Sequence, residues 1–150
     1  MLNEDYKDML QILLNNKVKF LVVGAYAMGA HGYPRATGDF DIWVEASAEN
    51  SERIYQSLAK FGAPLSEVTK ETFREKGIIF QIGVAPRRID IITKIEGVDF
   101  KQAYYRRQDI EIEGIKMPFL SKEDLIKNKE SVGREKDTLD AKYLKEEHHI

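Results

Sequence analysis

The chain has no cysteine, only four prolines and one tryptophan in its 150 residues. Without cysteine there can be no disulfide, no thiolate metal ligand and no cysteine nucleophile. Long apolar runs are missing too: nothing approaches the roughly 18 residues that a membrane-crossing helix needs. The first residues are acidic and mixed, unlike a secretory leader, so the expected compartment is the cytoplasm and no membrane partner is expected. Charge of one sign is likewise lacking, with 23 Lys and Arg against 25 Asp and Glu and a net charge of −2. That balance argues against a sequence-independent coat for nucleic acid, although it leaves room for local basic patches.

What is present is the composition of a globular protein. Apolar residues make up 43% and charged residues 32% of the chain, which excludes a disordered polymer. The length suits one domain with one core, expected over residues 1–150, with a centre at about 18–120 and C-terminal helices at about 121–147. There is no internal repeat, linker or low-complexity segment.

Periodicity divides the chain into alternating elements. Tyr6, Met9, Leu10 and Leu13 stand at helical spacing within residues 3–15, and Val18 to Val23 is an apolar run of strand length. Gly24 allows a tight turn into a short helix over about 25–32. Asp39 to Glu45 reads as a second strand, followed by a helix capped by Ser47, with Ile54, Leu58 and Phe61 as its buried stripe and Gly62 as its stop. Residues 63–77 are polar, with one short helical turn. Strands are expected at 78–84 and 89–93 around the turn Ala85-Pro86-Arg87-Arg88, then a helix over 99–107. Two short strands at 110–113 and 115–119 follow, then a helix opened by the capping-box spacing of Ser121 and Asp124. The last helix, about 134–145, offers Leu139, Tyr143 and Leu144 as apolar contacts.

The stretch from Phe20 to Glu45 carries the chemistry. Side chains two apart on a strand share a face, so Asp39 and Asp41 stand side by side while Phe40, Ile42 and Val44 point the other way. Adjacent carboxylates repel unless a cation or a proton stands between them. Hard oxygen donors of this kind suit magnesium, with manganese as the alternative, better than zinc. Asp90, inside the short apolar strand 89–93, is costly to bury unless it is paired or bound to metal; the other reading is an exposed alternate position. Together Asp39, Asp41 and Asp90 can bind two divalent ions, the arrangement that holds the attacking and leaving oxygens in phosphoryl and nucleotidyl transfer. A strand passing through Gly24 and Ala25 into a helix start offers backbone N–H groups that can hold phosphate, or is simply a strand–helix turn.

The order Val23-Gly24, then Asp39-Phe40-Asp41, then Asp90 on a later strand resembles the DNA polymerase beta nucleotidyltransferase superfamily, with its hG[GS] turn, D-h-D strand and third strand carboxylate. More closely, Arg35-Ala36-Thr37-Gly38-Asp39-Phe40-Asp41 resembles the R-x-T-x-D-x-D motif of AbiEii-type (abortive infection toxin) nucleotidyltransferases. Lys127, Lys129, Arg134, Lys136, Asp137 and Asp140 resemble that group's downstream lysine and aspartate motifs. The resemblance spans roughly residues 18–144. It implies an α/β (α+β) minimal nucleotidyltransferase fold, a small mixed β-sheet flanked by helices with the acidic site on an open face. It also implies an NTP substrate and two Mg²⁺ ions on Asp39, Asp41 and Asp90. Arg35 and Thr37 would orient the acidic loop or contact phosphate, Lys127 or Lys129 would neutralise the triphosphate, and Asp137 or Asp140 would serve late in the site. Lys136 belongs to the same set, although Lys127, Lys129, Lys136 and Lys142 would also make an ordinary solvated face. Ala25 departs from the family's Gly or Ser and lacks a hydroxyl for phosphate.

Other side chains carry two readings each. His31 either faces the site or packs; His148 and His149 lie at the very end of the chain. Trp43 shares the face of Asp39 and Asp41, where it either stacks a base, covers a partner surface or packs under a helix. Tyr104, Tyr105, Arg106 and Arg107 either contact nucleic acid or serve their own helix. The expected function is Mg²⁺-dependent transfer of NMP from an NTP to a hydroxyl on RNA, protein or a small molecule. The rivals are a catalytically silent nucleotide-binding or protein-interaction module of a toxin–antitoxin pair and a phosphohydrolase using the same metals. A toxin or antitoxin partner protein and a homo-oligomer are both compatible with the sequence.

Overall fold

A computed structural model describes residues 2–33 and 38–146. The sequence's alternation of apolar strands and amphipathic helices produces one six-stranded mixed sheet with helices packed on it. In chain order the elements are α1 (Glu4–Asn15), β1 (Phe20–Val23), α2 (Gly24–Ala30), β2 (Asp39–Val44), α3 (Ala48–Phe61), β3 (Ile79–Ile82), β4 (Arg88–Ile92), α4 (Phe100–Tyr105), β5 (Gln108–Ile112), β6 (Ile115–Phe119), α5 (Lys122–Val132) and α6 (Glu135–Lys145). A 3₁₀ turn at Thr72–Arg74 is the short helical turn expected within residues 63–77. The strands lie in the order β3-β4-β2-β1-β6-β5. β1 runs antiparallel to β2 and parallel to β6, and β2 runs parallel to β4. The outer pairs β3–β4 and β5–β6 are antiparallel hairpins.

The two faces of β2 explain the layers. Phe40, Ile42 and Val44 are fully buried on one face. Tyr6 of α1 stacks on Phe40 with ring centroids 4.8 Å apart, and Tyr26 of α2 meets Phe40 edge-on at 4.9 Å. Aromatic contacts of this kind add about 1 kcal/mol to the burial itself. On the other face Trp43 is buried and meets Phe100 of α4 edge-on at 5.0 Å. Of its three sequence readings, packing under a helix is the one observed. That face is therefore covered at its Trp43 end, and the acidic residues lie toward its other end.

Local chemistry sets the helix ends. Ser47 and Ser121 accept hydrogen bonds from Asn50 N and Asp124 N, the N-cap geometry their spacing predicts. Gly62 and Gly133 close α3 and α5 in the left-handed conformation. Asn50 also turns inward from α3. Its side chain accepts from Lys19 N at 2.8 Å and donates to Lys19 O at 3.1 Å and Glu45 O at 2.9 Å, tying the start of β1 to the end of β2.

One expectation for α6 fails. Leu139 is 61% exposed, while Asp137, Asp140, Ala141 and Leu144 form the buried stripe. The aspartates are buried because cations meet them: Lys129 of α5 lies 3.4 Å from Asp137 and 3.2 Å from Asp140, and Arg134 lies 2.7 Å from Asp137. The ion pairs share the inner face of this helix with Ala141 and Leu144, and Leu139 is left outside it. Strand limits also differ slightly from the sequence reading. β4 opens at Arg88 rather than Ile89, because Arg88 already pairs with Asp39 of β2. Among the described residues no helix is long and apolar enough to cross a membrane.

Candidate metal centre

The site is built from the sheet register. β2 and β4 are parallel neighbours, with Asp41 opposite Asp90 and Asp39 opposite Arg88. Opposed residues of a parallel pair point to the same face, so period-2 alternation places Asp39, Asp41, Arg88 and Asp90 in one cluster. One oxygen from each of the three carboxylates lies within 4.8 Å of the other two. Asp90 is 7% exposed, and Asp39 and Asp41 are half-buried. The exposed-position reading of Asp90 is thereby excluded.

Gly24 forms the floor beside Asp41. Val23 at the end of β1 pairs with Asp41, so the chain turns into α2 right beneath that carboxylate. Gly24 has φ +67°, a conformation that side chains rarely adopt, and a Cβ there would run into Oδ2 of Asp41. The glycine thus makes room for the carboxylate and supplies the turn.

Electrostatics follow from crowding three acids into this space. Burial, then repulsion from Asp39 and Asp90, pushes the Asp41 carboxyl up to about 7. Arg88 supplies the opposing charge. Its Nε lies 3.0 Å from Asp90 Oδ1, and its Nη2 lies 3.2 Å from Asp90 Oδ2 and 3.0 Å from Asp39 Oδ2. Hydrogen bonding to Asp90 holds the guanidinium above its ordinary range. The donor set is all carboxylate oxygen, and a guanidinium is drawn between two of its three members. The three aspartates can hold a metal ion, and the donor chemistry is that of hard divalent ions.

The comparisons bear on the fold. The chain is similar to the crystal structure of a putative nucleotidyltransferase, TM1012, from Thermotoga maritima, with a TM-score of 0.64 and 22% sequence identity over 98% of this chain and 97% of that one. The fold is a nucleotidyltransferase fold. No protein-family model and no curated protein sequence matches the chain.

The remaining predicted residues are spread over several settings. Gly24 and Ala25 open α2 beside the triad. Arg35 and Thr37 lie outside the described residues, as do His148 and His149. Lys127 is exposed on α5, and Lys129 is engaged by Asp137 and Asp140 between α5 and α6. Hydrogen bonding from Arg134 holds the Asp137 carboxyl below the usual range. Lys136 is exposed and, with Tyr33, Arg134, Glu135, Leu139 and Asp140, lines a cleft of about 540 Å³. Tyr33 and Tyr143 stack with centroids 4.1 Å apart, which joins the end of α2 to α6.

His31 packs rather than facing the triad: its Nε2 lies 2.8 Å from Leu120 O. Tyr104 stacks on Phe100, Arg107 covers the Tyr104 ring at 4.1 Å, and Arg106 forks onto fully buried Asp124 at 2.8 and 3.2 Å. Of that aromatic and basic group only Tyr105, 89% exposed, presents its ring to solvent. Arg88 is the site residue that the sequence reading missed. The signal was available: it stands two before Asp90 on the same strand and so shares its face.

Proposed function

We propose that this protein is a metal-dependent nucleotidyltransferase that transfers NMP from an NTP to a hydroxyl on RNA, protein or a small molecule. The observation that carries the reading is the convergence of Asp39, Asp41 and Asp90 within 4.8 Å on neighbouring strands of a nucleotidyltransferase fold. Asp39, Asp41 and Asp90 would hold the ion, magnesium first and manganese as the substitute. A bound divalent ion supplies charge stabilisation at the phosphoryl oxygens and lowers the barrier to deprotonating the acceptor. The chain's own residues do the rest. The Gly24–Ala25 turn would face the triphosphate, and Lys127 and Lys136, exposed on α5 and α6, would neutralise it. Asp90 takes the acceptor proton. A bond forms between the acceptor oxygen and the α-phosphorus, the α–β phosphoanhydride bond breaks, and pyrophosphate leaves with the electron pair. The motif resemblance supports placing the protein with the small AbiEii-type enzymes, with a cytoplasmic site of action and a partner protein of a toxin–antitoxin pair.

Incubation with labelled NTPs, Mg²⁺ and candidate acceptors tests the reading. Transfer of label with pyrophosphate release is expected, and Asp39→Asn and Asp41→Asn should abolish it. Label transfer unchanged in both variants would dispose of the mechanism. A second reading, a catalytically silent nucleotide-binding or protein-interaction module, draws on Ala25 in place of the family's Gly or Ser and on the guanidinium seated among the carboxylates. It predicts nucleotide binding without product. Inorganic phosphate released without transfer would point instead to hydrolysis.

A further inference from the structure

The three carboxylates of the centre are unequal. Arg88 forks both oxygens of Asp90 and holds one oxygen of Asp39. Among the described residues no cationic side chain pairs with Asp41, whose carboxylate instead lies over the Gly24 turn. The placement of Arg88 is not the accident of a long flexible chain. Its backbone is fixed opposite Asp39 in the β2–β4 register, two residues before Asp90, so its side chain leaves the sheet on the acidic face. Both contacts of the fork are at hydrogen-bond length, and the planar guanidinium matches a carboxylate in a way an ammonium does not.

Two divalent ions would need Asp39 and Asp90 as well as Asp41 for ligands. A guanidinium bonded to those same carboxylates opposes a second ion twice, by occupying their oxygens and by like-charge repulsion at short range. Among the described residues, the three carboxylates and the guanidinium carry a formal charge of −2, which one divalent ion neutralises. Resting on the metal-dependent reading above, we propose that Arg88 is a built-in cation of the centre that limits it to one divalent ion at rest, seated on the Asp41 side. The second position opens only when the guanidinium releases Asp39 and Asp90. Arg88 is on this view a residue that sets metal loading, and it need not touch substrate.

Manganese alone, titrated into the full chain without nucleotide, tests this. The free-ion electron paramagnetic resonance signal gives the number bound, and the bound spectrum reports whether two ions are close enough to couple. Wild type should take up one Mn²⁺ per chain with no spin coupling. Arg88→Gln and Arg88→Met should take up two, with a coupled spectrum, while Arg87→Gln, which removes a charge from the neighbouring turn, should stay at one. Two coupled ions in wild type would overturn the proposal without any variant. The same stoichiometry and midpoint in wild type and a folded Arg88→Gln, as judged by circular dichroism, would overturn it as well. No binding in any form would sink the metal-dependent reading itself and the present proposal with it, a result distinct from one ion or two.

Discussion

Asp41→Asn offers a sharp test of the electrostatics because it removes a charge that the fold holds at a cost. In the absence of divalent ions the Asp41 carboxyl is raised from an ordinary 3.8 to about 7, first by burial and then by Asp39 and Asp90. Each tenfold change in proton affinity is about 1.4 kcal/mol, so ionising it in the folded state costs at most about 4 kcal/mol. Asp41 is half-buried and the cluster shares a guanidinium, which reduces the expected figure to about 2 kcal/mol. The sign follows from the folded state binding the extra proton. The stabilisation is complete below about pH 3.8, declines as pH rises and is gone above about pH 7. In chelator, urea unfolding of wild type should therefore show a decline from pH 4 to pH 7 that Asp41→Asn lacks. At pH 8 the variant should be the more stable protein by about 2 kcal/mol, or roughly 4–8 °C in Tm for a chain of this size. Added Mg²⁺ should raise the stability of wild type by mass action and leave the variant nearly unmoved. An Asp41→Asn protein with the same pH profile as wild type in chelator, or one less stable at pH 8, would refute the reasoning.

Further predictions concern the frame of the site. Gly24→Ala forces a side chain into a left-handed backbone position and into Asp41, so it should lose about 1–3 kcal/mol in urea unfolding and weaken Mn²⁺ binding. An unchanged Mn²⁺ midpoint would show that the turn and the carboxylate are not coupled. Arg106→Ala strands a fully buried Asp124 and should cost about 3 kcal/mol, measured as a lower denaturant midpoint. On α6, Leu139→Ser should change stability by less than about 0.5 kcal/mol, because the side chain is largely exposed. Leu144→Ala should cost about 3 kcal/mol, since it empties a buried position. The opposite order in thermal melts would mean that the inner face of α6 is misassigned.

The contrast on α6 shows where the sequence is legible and where it is not. Periodicity finds helices and strands when apolar residues mark the buried face, as they do in α1, β1 and α3. It misleads where the buried face is partly ionic: Asp137 and Asp140 look like solvent positions until Lys129 of α5, together with the N-cap Arg134, is brought against them. The carboxylate cluster was legible because Asp39 and Asp41 share a strand face, and the spacing of Asp90 required only that its strand lie next to theirs. That adjacency is a matter of topology, and periodicity alone does not contain it. Arg88 is harder to see, because Ala85-Pro86-Arg87-Arg88 has the composition of a turn while the β-ladder already begins at Arg88, which puts the guanidinium on the acidic face.

The tie made by Asn50 has a mechanical consequence. By gripping Lys19 and Glu45 together, this amide pins the central strand pair at the end remote from the aspartates, as a rivet holds one end of a pair of shears. Any spreading of β1 from β2 is then a pivoting motion whose travel is largest where Val23 faces Asp41, so the backbone's compliance is delivered to the end of the pair that carries the aspartates.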